Sequence, residues 1–382
     1  MDGFSPDASP LRVLQVVNVR WFNATAWYGL FLSSLLREAG HDVRVLCPAG
    51  TEAYAKACEM GFSPLGPNLN SANPFTLGAA YGRMRDLVRE FRPHIVNCHR
   101  GESFLLWGML KRSGGFRLVR TRGDQRPPKG NCVNVLLHAK VADAVIATSS
   151  GIAQNLRDIL RVPADRVHAI RGGVDTRRFF PDPRKRAETR AQWGIGPETR
   201  AIGLVGRFDA VKGQKELIAA YARLRRSMGG KTPDSRLVLA GFSTSTTDAE
   251  DIRRRAEEAG VADSVIFPGR CNDVRGLMNA LDLGVVASLG SETIARVALE
   301  IMACGIPLIG TRVGVMPDLL CDGALVPPGD EEGMAAALGR FMTEPAFGEG
   351  LRAEQRERMR DLTGEAFLAR TLEVYRAVLA CP

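Results

Sequence analysis

The sequence predicts an α/β protein of two domains, each a parallel sheet covered by helices. Three observations carry that expectation. Short apolar runs alternate with helical stretches along the chain, a pattern that implies parallel strands joined by right-handed crossovers. A chain of 382 residues has room for two domains that each bury a core. Between the halves, Gly172–Arg186 is rich in glycine, proline and charge and reads as a linker. The two domains are then expected over residues 1–178 and 187–363.

In the first half, strands are expected near Leu11–Val17, Asp42–Cys47, His94–Cys98, Arg117–Thr121, Ala144–Thr148 and Val167–Ile170. Most are largely apolar rather than alternating, as strands covered on both faces are. Helices fall between them, among them Ala26–Ala39, closed by Gly40, and Thr76–Phe91. In the second half, strands recur near Ala201–Val205, Leu237–Ala240, Val265–Phe267, Leu283–Ala287 and Leu308–Thr311. A helix is expected over about Gln214–Ser227 and a last one over about Gly364–Leu379.

The stretch from Ser288 to Pro307 is the most informative. An apolar strand leads into it, Gly305 ends a helix, and Pro307 prevents its continuation. Glu292 is expected at the helix N-terminus, where free N–H groups and the helix dipole favour anions. Glu300 is expected two turns into the helix among Ala298, Leu299, Ile301 and Met302, where a carboxylate is costly unless something hydrogen-bonds to it. A ligand with phosphates on one side and hydroxyls on the other, such as a nucleotide sugar, meets both needs. The plainer alternative is two solvated surface glutamates.

About eighty residues upstream, the strand Ala201–Gly206 runs into Arg207, a short loop, and Lys212-Gly213 before a helix. In an open α/β sheet, ligands bind beyond the carboxyl ends of the strands. Glycines allow close backbone approach there, and two cations can meet a diphosphate. The pattern is not a Walker loop, and ordinary loop charges are the competing reading.

Taken together, Gly206-Arg207, Lys212-Gly213, Glu292, Glu300, Gly305 and Pro307 resemble the retaining glycosyltransferases of family 4. That family has two Rossmann-like domains facing an interdomain cleft, the GT-B fold. The resemblance extends to Gly172–Asp175 with Phe179 and Pro181, to Val265–Gly269, to Pro327–Asp330, and to Leu35, Gly40-His41, Val43 and Val45. It implies that Arg207 and Lys212 bind the donor diphosphate, that Glu300 holds the ribose, and that Glu292 lies beside the donor sugar. Gly206, Ala295, Arg296 and Val297 complete the implied donor site. The resemblance also implies that a helix over about residues 364–382 packs back on the first domain. Three places depart from the family pattern. Asn23-Ala24 stands where paired glycines are usual, Thr293-Ile294-Ala295 replaces Gly-Phe-Gly, and Gly314-Val315 replaces Gly-Gly.

Two features of the first half bear on the same site. His99 follows a strand and aligns with a histidine that contacts the donor sugar in the family, so a catalytic role is implied beside Glu292, Arg207 and Lys212. His41 follows Gly40 at a helix end and reads as a cap. The run Arg120, Arg122, Arg126 and Lys129 places four cations around Asp124. It reads either as a solvated face or as a site for acceptor phosphate or carboxylate.

Composition narrows the classes. No run of eighteen apolar residues exists, and the start Met1-Asp-Gly-Phe-Ser-Pro-Asp has no signal-peptide pattern. Eight scattered cysteines without a Cys-x-x-Cys pair suggest a reducing, cytoplasmic setting and no zinc site. Residues 1–180 hold 24 basic and 14 acidic residues, a balance of +10 within a chain whose net charge is +9. With no RNA-binding or zinc-finger signature, nucleic acid is not expected; an anionic acceptor or a peripheral contact with an anionic membrane surface suits the charge better. No Asp-x-Asp occurs, so no metal or other cofactor is expected.

The expected activity is retaining transfer of a sugar from a nucleotide diphosphate sugar to a saccharide or lipid-linked glycan, of the lipopolysaccharide or surface-polysaccharide kind. A nucleotide-sugar epimerase of the same fold, or a binding subunit without turnover, are the alternatives.

Overall fold

A computed structural model describes residues 9–67, 69, 73–229, 234–243 and 248–381. The chain forms two compact units. One comprises Met1–Gly172 with Glu365–Pro382, the other Gly173–Gly364. Each is a Rossmann-like α/β unit of the expected kind, built on one six-stranded parallel sheet.

The first unit holds six parallel strands: β1 (Arg12–Val16), β2 (Asp42–Leu46), β3 (Ile95–Cys98), β4 (Arg117–Arg122), β5 (Ala144–Ala147) and β6 (Val167–Ala169). Their order across the sheet is β2-β1-β3-β4-β5-β6. The chain first steps from β1 to β2 on one side, then returns to place β3 on the other. The crevice beyond the ends of β1 and β3 is therefore the switch point where such sheets bind ligands. The helix Ala24–Glu38 follows β1, and Asn23 caps it by accepting from the Ala26 amide at 3.1 Å. A capping asparagine thus stands where the family has glycine.

The second unit repeats the plan with β7 (Arg200–Val205), β8 (Ser235–Ala240), β9 (Val265–Gly269), β10 (Leu283–Val286), β11 (Leu308–Thr311) and β12 (Leu325–Val326). The order is β12-β11-β10-β7-β8-β9, so its switch point lies between β7 and β10. Leu237, Leu239, Val285, Ile309 and their neighbours on both sheet faces form one continuous core with the flanking helices. Asp282, at the start of β10, binds Arg186 at 2.7 Å and Arg190 at 3.0 Å and accepts from the Ala201 amide at 2.8 Å. That buried carboxylate fastens the helix Pro183–Gln192 to β7 and β10.

Two expectations are corrected here. Residues 173–186 are not a free linker but part of the second unit. The Val174 amide donates to the Leu362 carbonyl at 2.9 Å, and Asp182 caps the helix Pro183–Gln192 through the Lys185 amide at 3.0 Å. The helix after β10 spans Arg296–Ala303, so Glu292 lies in the preceding loop and Glu300 about one turn in. Ala295 starts that helix in the left-handed conformation, φ 50°, which a reading of helical periodicity does not reveal. The two-residue strand β12 was too short to be read from apolar runs.

Candidate active site

In the second unit, the loops after β7 and β10 converge on the switch point. The Leu289 amide donates to the Val211 carbonyl at 2.8 Å, which ties one loop to the other. Gly213 permits the approach: its φ is 73°, and a Cβ there would lie 1.9 Å from the Ala287 carbonyl oxygen. No other residue type fits both conditions.

On this frame, Lys212 Nζ lies 2.5 Å from Glu292 Oε1. Ser288 Oγ donates to the same carboxylate oxygen at 2.5 Å. Glu292 is 8% exposed, so its charge sits in a largely dry loop pocket with a cation and a hydroxyl as partners. Arg207 remains exposed beside them. Its guanidinium pairs with Asp209 at 3.1 Å, while the other Asp209 oxygen accepts from the Val211 amide at 3.2 Å. Gln214 holds the Arg207 carbonyl at 2.9 Å. Gly206 ends the preceding strand, with no side chain to crowd the turn.

Glu300 is 3% exposed, and Arg296 Nε donates to its Oε1 at 2.6 Å. Burial raises its pKa above the usual carboxylate range; the charges of Arg296 and, further off, Arg178 oppose that rise. The hydrogen-bond partner that the sequence demanded for Glu300 is therefore supplied in part by the protein itself, one turn earlier on the same helix. Ala295, Arg296 and Val297 form the start of this helix, with no side-chain cap on its N-terminus. The structure thus pairs Lys212 with Glu292, Arg207 with Asp209 in the loop after β7, and separately Arg296 with Glu300.

The first unit offers a different arrangement at its own switch point. His99, one residue past β3, is fully buried, and its Nε2 lies 2.7 Å from Gln15 Oε1 on β1. Gln15 and Asn97 are paired across β1 and β3, and both amides donate to Tyr375 Oη, at 3.2 and 2.8 Å. Burial, helped by the positive charge of Arg120, drives the His99 pKa down to about 3. His99 is thus neutral at any working pH. Gln15 and Asn97, polar residues inside apolar strands, were a signal in the sequence that was missed; Tyr375 gave none.

The basic run is divided. Arg120 is not a loop cation but a buried residue of β4, 3% exposed, whose Nη1 donates to the Cys98 carbonyl at 2.8 Å and to the Thr121 carbonyl. Its Nε is buried with no partner among the described residues, and burial lowers its pKa to about 10, with repulsion from Arg122 adding to the effect. Arg122 donates to the Arg126 carbonyl at 2.5 Å. Arg126 is exposed and pairs with Asp124 at 3.0 Å. Lys129 is exposed, and its carbonyl accepts from Asn134. His41, expected as a helix cap, accepts from the Leu11 amide at 3.1 Å and so ties the helix end to the strand β1 region.

Residues 185–362 match the family described as Glycosyl transferases group 1, and residues 27–178 match Glycosyltransferase Family 4. The alpha-maltose-1-phosphate synthase of Mycolicibacterium smegmatis is 28% identical over 305 residues, covering 75% of this chain and 74% of that protein. The D-inositol 3-phosphate glycosyltransferase of Acidothermus cellulolyticus is 30% identical over 68% of this chain, which spans only 58% of that relative. Anabaena HepE, solved in complex with UDP and glucose, shares the fold at a TM-score of 0.79 and 18% identity, over 96% of this chain and 100% of that one. Each unit carries its own match, and the cations and glutamates quoted from the sequence fall within the second. This chain belongs to the family 4 glycosyltransferases, enzymes of the GT-B fold that draw their sugar from a nucleotide donor.

Proposed function

We propose that the chain is a retaining glycosyltransferase that moves a sugar from a nucleotide diphosphate donor to a small phosphorylated acceptor. The observation that carries the donor half is the Lys212–Glu292 pair at the β7/β10 switch point, with Arg207 on the same loop as Lys212 and Glu300 buried on the next helix. Two cations there offset the charge that grows on the departing diphosphate. In the transfer, the acceptor hydroxyl oxygen bonds to the anomeric carbon as the bond from that carbon to the phosphate oxygen breaks. The acceptor's proton passes to the leaving phosphate on the same face, so no second carboxylate is required. Glu292, paired with Lys212, supplies negative charge near the carbon that becomes positive. Arg296 holds Glu300 for the ribose hydroxyls.

The acceptor half rests on charge and on the relatives' names. Those names speak of D-inositol 3-phosphate and of maltose 1-phosphate, which favours a phosphorylated polyol or sugar over lipopolysaccharide in particular. The exposed Arg126 and Lys129, with the half-buried Arg122, suit such a phosphate, whereas Arg120 is buried in β4. No helix among the described residues is long and apolar enough to cross a membrane.

Purified protein should be incubated with UDP-glucose and other nucleotide sugars, with and without glucose 1-phosphate or D-inositol 3-phosphate. Nucleotide release that depends on the acceptor, with the donor's anomeric configuration kept in the product by NMR, is the expected result. An inverted product, or an altered donor sugar without release, overturns the proposal.

A further inference from the structure

A cavity of about 330 Å³ lies in the second unit at the amino end of β11, the edge of the sheet opposite the β7/β10 switch point. Every residue lining it belongs to that unit. The helix Pro345–Met359 forms one wall, and Gln355 fixes it there. Gln355 Nε2 donates to the Leu308 carbonyl at 2.8 Å, and its Oε1 accepts from the Leu308 amide at 2.9 Å. Pro181, Met302, Ile306 and Met359 give the cavity an apolar lining, to which Thr176 and Thr363 add hydroxyls. Arg352, Arg356 and Arg360 line it as well. They recur at every fourth residue, so they stand one above another on a single face. Along the axis that spacing is roughly 6 Å, or about 12 Å from first to last. Like charges so placed repel and cost helix stability, and none of the described residues lining the cavity is acidic. Arg360 pairs with Glu357 at 2.7 Å and Arg352 reaches the Gly305 carbonyl at 3.3 Å, while Arg356 makes neither an ion pair nor a hydrogen bond among the described residues. One cation would suit the carboxyl end of the helix Arg296–Ala303. Three in a row exceed that need.

We propose that this cavity is a second ligand site, separate from the crevice between β7 and β10, for an organic diphosphate with a short hydrocarbon body, of the prenyl diphosphate kind. The arginine row selects the head. A guanidinium meets phosphate oxygens through a planar fork of N–H groups. A lone carboxylate engages one such fork, whereas a diphosphate spans two neighbours in the row. The lining selects the body. Hydrocarbon loses its water against Met302, Ile306 and Met359, and methionine side chains adapt to an irregular shape. A sugar in the same place would set its hydroxyls against carbon, which is costly. The volume is near the lower end of the range for small-molecule pockets, roughly 300–1,000 Å³, and so suits a short chain.

The test is titration calorimetry of the full chain with geranyl diphosphate, dimethylallyl diphosphate, inorganic pyrophosphate and glucose 6-phosphate. Geranyl diphosphate should bind most tightly. Dimethylallyl diphosphate should bind at least about tenfold more weakly, and pyrophosphate more weakly again, since each buried methylene is worth roughly fourfold in affinity. Arg356→Ala should weaken geranyl diphosphate about tenfold to a hundredfold, and Arg352→Ala/Arg356→Ala should weaken it further. Both arginines are exposed, so these variants are expected to fold as the wild type does. Arg207→Ala/Lys212→Ala alters the other edge of the sheet and should leave this affinity unchanged. No binding of geranyl diphosphate overturns the proposal. Equal affinity for geranyl diphosphate and pyrophosphate overturns the hydrocarbon site, as does glucose 6-phosphate bound as tightly as geranyl diphosphate. Binding lost in Arg207→Ala/Lys212→Ala and kept in Arg352→Ala/Arg356→Ala puts the ligand in the β7/β10 crevice and overturns it too.

Discussion

The two switch points share a topology and differ in chemistry. In the second unit, the crevice between β7 and β10 is lined by ions: Lys212 with Glu292, Arg207 with Asp209, and Arg296 with Glu300 on the adjoining helix. In the first, the ends of β1 and β3 carry uncharged groups, with Gln15, Asn97 and a neutral His99 joined through Tyr375. One plan of strands thus carries charged groups in one place and fixed neutral hydrogen-bonding groups in the other. The sheet order says where a ligand binds; the residues just past the strands say which ligand.

The largest effect is expected where the ionic site depends on backbone. Gly213→Ala forces a methyl group against the Ala287 carbonyl and a non-glycine residue to φ 73°. Strain of that kind alone costs roughly 1–3 kcal/mol, and the steric overlap adds to it. Urea unfolding should show the loss, and donor binding should vanish in whatever fraction still folds. Gly40, also at positive φ but with open space around it, should tolerate alanine far better.

Next comes the charge itself. Lys212→Ala removes a charged partner from Glu292 and from the diphosphate, and about 1.5–3 kcal/mol, tenfold to a hundredfold in kcat/KM, should go with it. Arg207→Ala should cost less, because Arg207 is more exposed and screened. Equal and negligible losses in both would place the diphosphate elsewhere.

The pH responses of the two regions should differ in shape. Burial raises the Glu300 pKa, so this carboxylate takes up a proton before an ordinary glutamate as pH falls. The donor KM should rise as pH falls and begin to do so at a higher pH than an ordinary glutamate would cause, and Glu300→Gln should flatten the rise. His99 should give no such limb in activity. It should act on stability instead. The unfolded imidazole gains a proton near pH 6.5, whereas the folded one, its pKa lowered, does not do so until about pH 3. The unfolded state therefore binds more protons across that window, and stability declines as pH falls through it. Chemical denaturation of His99→Gln should show a shallower decline between about pH 6 and pH 4.

The smallest effect belongs to the exposed rim. Arg126→Ala breaks a solvent-exposed pair with Asp124 and should leave stability and donor kinetics unchanged within error. If it nevertheless raises the acceptor KM, and salt does the same, the acceptor's phosphate reaches that loop.

How much of this was legible in the sequence follows the same division. Most strands could be read because they are buried on both faces, as β3, β5, β10 and β11 are throughout, and show as apolar runs. Lys212 and Glu292 could be assigned to one site because the resemblance joins their motifs, but their ion pair depends on a strand order that apolar runs do not reveal. The start of the helix at Arg296 could not, since Thr293–Ala295 shows no helical period and the left-handed Ala295 leaves no trace in residue type. Arg120 was misread because Arg-Thr-Arg looks like a solvated turn, whereas its β4 neighbours bury it. Tyr375 was out of reach altogether: a tyrosine in an amphipathic helix gives no sign of its partners hundreds of residues away.

That distance has a consequence for synthesis. The first unit is discontinuous, and its last helix is synthesised only after the second unit. Domains usually fold in the order in which they emerge. Here the nascent first unit must wait, its Gln15 and Asn97 amides unmet and Tyr28 without the Phe367 ring that packs on it at 4.6 Å, until the whole second unit has been made. The unit begun before the second is therefore completed only after it, and a chain cut short before that helix would spare the ionic crevice while leaving Gln15, Asn97 and Tyr28 without those partners.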